Sequence, residues 1–365
     1  MTYLDYQATT PLAPEALAAM LPWLETQHAN PHSPHSAGRA AKAAVEHARD
    51  QVAALLPPGG QLAFTSGATE ALNWAIKGST GPIVTLATEH AAVLDTVAAE
   101  QARGRRVTIL PVGGDGLVDR DAARAAIVPS TGLVAAMLVN NEIGVIQPIA
   151  DLAALAHAAG ALMLCDAVQG YGRVPIPETC DLVAISGHKV HGPKGIGALW
   201  LRDGVAIEPL LHGGGQEAPG RSGTLSPALC AGFGAAAALM KARTDQDTAH
   251  VERLWEVASA QFEAAQQWRL NGAATPRYHG NLNLRHAGLD VNRLLSDLRD
   301  VAFSAGSACA SGSGRPSHVL RAIGLSDAEA RSSIRLGFGR TTTEDELVAA
   351  LTRIIAAAAA QRVAA

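Results

Sequence analysis

Short β-type apolar runs alternate with helical stretches through the first two-thirds of this 365-residue chain. The runs expected as strands cover 62–65, 83–87, 106–111, 133–140, 161–166, 182–186 and 197–201. Helical patterns at 70–77, 91–103, 120–127 and 149–159 lie between them. Strands separated by helices of that length imply parallel βαβ units and a doubly wound α/β sheet. Such a sheet builds its site at the carboxyl ends of its strands. From about Ala228 the pattern changes. Residues 229–267 read as mostly helical, followed by short strands at 281–284 and 333–337, a Gly/Ser-rich loop and an Ala-rich terminal helix. The expected division is a large domain over 15–245 and a smaller α+β domain formed by 1–14 and 246–365.

Composition narrows the partners. Charged residues are 17 % against a usual share of about 25 %, and alanine fills the gap. A net charge of −4 argues against nucleic acid or an anionic membrane held by bulk charge. No apolar run reaches the ~18 residues of a membrane span. Met1-Thr2-Tyr3-Leu4-Asp5-Tyr6 lacks the basic and apolar regions of a secretory signal, so a cytoplasmic protein is expected.

Polar and glycine residues cluster where the expected strands end. Thr65-Ser66-Gly67-Ala68-Thr69-Glu70 follows a strand and opens a helix. Small residues there let backbone N–H groups and a hydroxyl close on an anion, although a plain capped helix start has the same pattern. Asp166 ends a buried run, where a carboxylate is costly without a cation or strong donor. A protonated pyridine nitrogen would be such a partner; a helix N-cap is the plainer reading. Ser186-Gly187-His188-Lys189 follows another strand and precedes a glycine-rich turn, a setting that suits a Schiff-base lysine. Lys194 is its rival, in a Pro-Lys-Gly setting that reads as an exposed turn. None of the thirteen histidines shows zincin or zinc-finger spacing, so no metal site is expected.

Cys165, Cys180, Cys230 and Cys309 have no CxxC spacing and form neither a disulfide framework nor a zinc framework. The first three lie in apolar or strand-like runs and read as core residues. Cys309 lies instead in Ser304-Ala305-Gly306-Ser307-Ala308-Cys309-Ala310-Ser311-Gly312-Ser313-Gly314. Packing explains a thiol in such a stretch poorly, so a chemical role is expected.

These motifs together resemble the pyridoxal-phosphate cysteine desulfurases of the NifS/IscS type, in the class V aminotransferase fold group. The resemblance runs from Tyr3-Leu4-Asp5-Tyr6-Gln7-Ala8-Thr9-Thr10-Pro11 to Arg331-Ser332-Ser333-Ile334-Arg335. Between those ends it takes in Asn30-Pro31, Thr88-Glu89-His90, Asn140-Asn141-Glu142-Ile143-Gly144, Asp166-Ala167-Val168-Gln169 and Arg221-Ser222-Gly223-Thr224. The Ser-Ala-Cys loop and Ser317-His318-Val319-Leu320-Arg321 resemble the long-loop group rather than the SufS group.

The resemblance implies a pyridoxal-phosphate-dependent transferase fold and assigns roles. Lys189 would carry the cofactor covalently, Asp166 would keep its pyridine nitrogen protonated, and Gln169 would hydrogen-bond its phenolic oxygen. His90 would stack on the ring and serve in proton transfer. Ala68, Thr69, Ser186 and His188 would cradle the phosphate, with Thr224 reaching it from the other subunit of a homodimer. Arg335 would clamp the substrate carboxylate, assisted by Asn141, with Asn30 nearby. Cys309 would take sulfur from L-cysteine as a persulfide, leaving L-alanine and passing sulfur to an acceptor such as an iron–sulfur scaffold protein. Gln7, Cys165 and Gly170 depart from the family's usual residues, and read as packing variation. The chain ends at Ala365, without much of the tail with which IscS proteins engage their scaffold. The alternatives are selenocysteine lyase or aminotransferase chemistry on the same fold, or a non-catalytic docking member of an assembly complex.

Overall fold

The computed structural model describes residues 1–218, 220–306 and 316–363. In chain order, β1 (Thr2–Tyr3) leads to α1 (Pro14–Glu25), α2 (Ser36–Ala53), β2 (Gly60–Thr65), α3 (Ala68–Gly78), β3 (Ile83–Leu86) and α4 (Ala91–Ala102). Then come β4 (Val107–Leu110), α5 (Arg120–Ala126), β5 (Leu133–Met137), α6 (Ile149–Ala158), β6 (Leu162–Asp166), β7 (Leu182–Ser186) and β8 (Gly197–Arg202). Helix α7 (Pro227–Ala264) precedes β9 (Trp268–Leu270), β10 (Asn281–His286), α8 (Val291–Asp297), β11 (Val301–Ala302) and β12 (Ser304–Ala305). Beyond these lie α9 (His318–Ala322), α10 (Asp327–Arg331), β13 (Ser333–Gly337) and α11 (Glu344–Val363).

The larger sheet has seven strands in the order β2-β8-β7-β6-β5-β3-β4. Its inner strands read as unbroken apolar runs because both faces are covered, by separate clusters around Phe64 and Trp200 and around Trp74 and Leu199, whereas the edge strand β4 leaves Thr108 and Ile109 exposed. The sheet is not wholly parallel: β8 runs antiparallel to both β7 and β2. The connection between β7 and β8 holds only a single 3₁₀ turn (Gly187–Lys189) and a loop, too little for a crossover, so the chain must return antiparallel. Gly197 opens β8 against Gly67, with no room for a Cβ.

Helix α7 is continuous across the division expected at residue 245. Its first half packs Cys230, Phe233 and Met240 into the large-sheet core, and its second half gives Leu254, Ala258 and Phe262 to another core. That second core lies on the four-stranded antiparallel sheet β12-β13-β10-β9 and is closed by Leu347, Leu351 and Ile354 of α11. The N-terminal segment joins it through Leu4 and crosses the end of β13 at Gly337, where a Cβ would collide with Gln7 Oε1. No helix among the described residues is long and apolar enough to cross a membrane.

Candidate active site

Three strand ends, two helix starts and the N-terminal segment enclose a cavity of about 630 Å³. Asp166 closes β6, Ser186 closes β7, and His188 and Lys189 follow it. Ala68 and Thr69 open α3, while His90 is the N-cap of α4. Gln169 and Asn141 come from loops, Arg335 from β13, and Gln7, Ala8 and Thr9 from the chain start. The large sheet thus supplies its carboxyl-end loops, and the small sheet adds one arginine.

Lys189 Nζ donates to the carbonyls of Gln7 at 2.5 Å and Ala8 at 2.9 Å, which fix the amine beside the cavity. Asp166 Oδ1 accepts the Val168 N–H at 3.0 Å. Burial pushes the Asp166 carboxyl up to about 6, against the opposing pull of that N–H and of Lys189. His90 Nδ1 accepts the Ala92 N–H at 3.0 Å. Burial, then Lys189 and His318, hold its pKa below the usual histidine range, so the ring is neutral with its proton on Nε2. Burial and the nearby Lys189 and Lys194 bring His188 down to about 4, which leaves it neutral too.

Arg335 is fully buried. Its Nη1 donates to the Asn141 carbonyl at 3.0 Å and its Nη2 to Asp5 Oδ1 at 2.8 Å. The buried Nε–H has no hydrogen-bond partner among the described residues. An orphaned donor on a buried guanidinium is costly, and a carboxylate in the cavity would satisfy it.

The first residues of α3, Ala68 and Thr69, line the same cavity. The N-cap of the helix is Gly67, and no side chain caps it. Glu70 accepts the Ser66 N–H at 2.8 Å and pairs with Arg221 at 2.9 Å. Burial opposes ionisation of Glu70, but hydrogen bonds from Arg221 and Ser66 outweigh it and hold the pKa low. This pair ties the 212–225 loop to the helix start, and the buried Glu217 anchors the same loop to Arg49 at 2.7 Å.

Of the residues singled out from sequence, Ala68, Thr69, His90, Asn141, Asp166, Gln169, Ser186, His188, Lys189 and Arg335 meet at this one cavity. Asn30 does not: it is exposed, and its Oδ1 accepts the His32 N–H at 2.9 Å in a local turn. Thr224 is exposed on its loop, outside this cavity. Lys194 is exposed as expected yet lines the cavity rim. Cys309 lies outside the described residues. Cys165, Cys180 and Cys230 are buried.

Residues 2–349 match the aminotransferase class-V family. This chain belongs to that family. The class-V chain is 44 % identical to a cysteine desulfurase IscS of Rickettsia akari over 360 residues, covering 94 % of this chain and 88 % of that protein. It superposes on a solved NifS-like protein of Rickettsia africae with a TM-score of 0.90, at 30 % identity over 98 % of this chain and 99 % of the other. It also superposes on SspA solved in complex with cysteine, with a TM-score of 0.82, at 35 % identity over 93 % and 99 % of the two chains.

Membership of the class-V family implies use of pyridoxal phosphate, and the donor set fits that molecule. Helix N-terminal amides and hydroxyls suit a phosphate, a buried carboxyl suits a pyridine nitrogen, and a lysine amine suits the aldehyde. Several contributors were not legible in this class-V sequence. The carbonyls of Gln7 and Ala8 that hold Lys189 carry no side-chain signal; the Gln7 side chain itself crosses to the Gly280 carbonyl at 2.8 Å. Glu89 is buried beside the site with Oε1 on the Met137 N–H at 2.8 Å. Burial and then Asp166 push its pKa well up, against the opposing pull of the Met137 N–H. Its place after a strand and before His90 was the one available cue.

Proposed function

We propose that this chain is a pyridoxal-phosphate-dependent cysteine desulfurase, converting L-cysteine to L-alanine and retaining the sulfur as a persulfide on Cys309. The observation that carries the reading is the convergence of Lys189, Asp166 and Arg335 on one cavity in a chain 44 % identical to an IscS desulfurase. When bound, the cofactor supplies an electron-withdrawing ring next to the substrate's Cα.

The chain's own groups do the rest. Lys189 would hold the cofactor through its amine, and the same Nζ would take the substrate's Cα proton. The Asp166 carboxylate keeps a proton on the pyridine nitrogen, and Gln169 donates to the phenolic oxygen. Neutral His90 covers the ring and offers Nε2–H for proton transfer. The start of α3, Ser186 and His188 hold the phosphate. Arg335 takes the substrate carboxylate, with Asn141 beside it. The Cys309 thiolate attacks the substrate sulfur; the Cβ–S bond breaks, its electron pair stays on carbon, and protonation there gives alanine. Sulfur thus passes from cysteine to Cys309 without an external oxidant.

Thr224, on a loop anchored by Arg49–Glu217 and Arg221–Glu70, serves the phosphate of a second copy, which makes the active form a homodimer. The persulfide then goes to a sulfur acceptor such as an iron–sulfur scaffold protein, in the cytoplasm. The test is product analysis of the holoenzyme with L-cysteine. We expect alanine and thiol-releasable sulfur in equal amounts, and neither from Lys189→Ala. A keto acid in place of alanine, or full activity in Lys189→Ala, would overturn the reading.

A further inference from the structure

A second, smaller cavity of about 130 Å³ lies between the middle of α7, the turn after β6 and the segment after β13. Three guanidinium groups, of Arg173, Arg277 and Arg340, line it together with two carboxylates, of Asp247 and Glu252. Glu252 is taken by His279, whose ring lies 2.5 Å away. Asp247 pairs with Arg340 Nη2 at 2.6 Å and with Arg243 at 3.3 Å. Arg277 is buried and donates only to carbonyls, among them Ala273 at 2.5 Å and Asn271 at 2.9 Å. Arg173 donates to the Lys189 carbonyl and lies over the Tyr278 ring, and it has no carboxylate partner among the described residues. The positive charge here therefore exceeds what the carboxylates neutralise.

Arg340 supplies the second observation. Its side chain is nine-tenths buried, Nε and Nη2 both go to Asp247, and buried Nη1 has no hydrogen-bond partner among the described residues. The field is felt by a neighbour: burial, then Arg340 and Arg173, bring His191 down to about 4. Its Nδ1–H donates to the Pro11 carbonyl at 3.0 Å, so His191 adds no charge of its own at neutral pH. An unsatisfied buried guanidinium nitrogen in a cation-rich cavity calls for an anionic acceptor.

We propose that this cavity binds a small inorganic anion, of chloride to sulfate size, on Arg340 Nη1 with Arg173 and Arg277 around it. Its volume of about 130 Å³ admits such an ion. Arg173 places the ion one side chain from the Lys189 backbone, on a route separate from the substrate cavity. The site does not depend on the desulfurase reading, since it needs no chemistry at Lys189 or Cys309.

Holoenzyme crystals soaked in sodium bromide should show an anomalous peak within hydrogen-bond distance of Arg340 Nη1; its absence overturns the proposal, leaving water as the occupant. In solution, sodium chloride should raise the holoenzyme's melting temperature saturably, beyond sodium gluconate at equal ionic strength. Asp247→Asn removes the competing carboxylate and should lower the half-saturating chloride concentration by on the order of tenfold. Arg340→Lys keeps a cation for Asp247 but has no second nitrogen, and should abolish the chloride–gluconate difference. An equal effect of both salts, or a difference that survives Arg340→Lys, overturns the assignment.

Discussion

Arg335 Nη2 stands 2.8 Å from Asp5 Oδ1, so the one guanidinium that the small sheet lends to the main cavity is already paired across the chain's first turn. The pair is asymmetric: the Arg335 side chain is buried, whereas Asp5 is 20 % exposed. Asp5 thus neutralises a charge that would be expensive alone, and it does so from the side nearer solvent. The Nε–H remains for a ligand.

This arrangement predicts how the two residues divide their effects. Arg335→Lys keeps a charge for Asp5 but has no second nitrogen left for the substrate carboxylate. Losing a charge-assisted hydrogen bond costs about 1.5–3 kcal/mol, so KM for cysteine should rise roughly 10- to 100-fold while kcat falls less. Asp5→Asn keeps an acceptor for Nη2 but removes the competing charge, and KM should fall. Steady-state kinetics decide; an unchanged KM in Arg335→Lys would remove Arg335 from substrate binding.

Asp166 supports a prediction about pH. In the cofactor-free protein its carboxyl sits at about 6 instead of 3.8, mainly because burial penalises the charge. A raised acid pKa means that the folded state binds the proton more tightly than the unfolded chain. Its stabilising contribution is therefore fully present below pH ~4 and is lost as pH rises through about 6. The gap corresponds to about 3 kcal/mol, an upper figure for what ionised Asp166 costs near pH 7. Asp166→Asn should make the cofactor-free protein more resistant to urea at pH 7.5, and the advantage should vanish near pH 4. With cofactor bound the same variant should exchange the substrate α-proton more slowly. Equal urea midpoints at pH 7.5 would show that Asp166 is not held at a cost.

Much of the large sheet was legible because its inner strands are buried on both faces and therefore read as unbroken apolar runs. β7 and β13 fall where the runs at 182–186 and 333–337 place them. The direction of β8 is set by the short 187–196 connection and not by its apolar run, which carries no sign of its pairing. Helices α1 and α2 were missed for a local reason. Ala13 gives α1 no side-chain cap, and α2 is capped by His35, whose Nδ1 accepts the Gly38 N–H at 3.1 Å. Histidine is outside the usual N-cap set. The site divides in the same way. Asp166, Ser186, His188 and Lys189 announce themselves as polar residues at strand ends. The Lys189–Gln7 and Arg335–Asp5 contacts join residues 182 and 330 positions apart, and no local pattern encodes them.

The last prediction concerns which thiol receives the sulfur. A persulfide-forming cysteine must be both reachable and able to ionise. Cys165, Cys180 and Cys230 are buried, which denies all three a path to substrate. Contact with Cys180 and burial push the Cys165 thiol far up, and burial raises Cys230 to about 12. At neutral pH the Cys165 and Cys230 thiols stay protonated, and a protonated thiol is a poor nucleophile. Cys309 is the remaining cysteine, and nothing in cofactor holding, proton removal or carboxylate binding needs it. Cys309→Ser should therefore still bind cysteine and exchange its α-proton, yet release almost no alanine, because a serine hydroxyl is scarcely ionised at neutral pH. Mass spectrometry of wild-type holoenzyme after brief exposure to cysteine should find one added sulfur on the Cys309 peptide. Sulfur on a Cys165, Cys180 or Cys230 peptide, or normal turnover in Cys309→Ser, would remove Cys309 from the reaction while leaving Lys189, Asp166 and Arg335 in place.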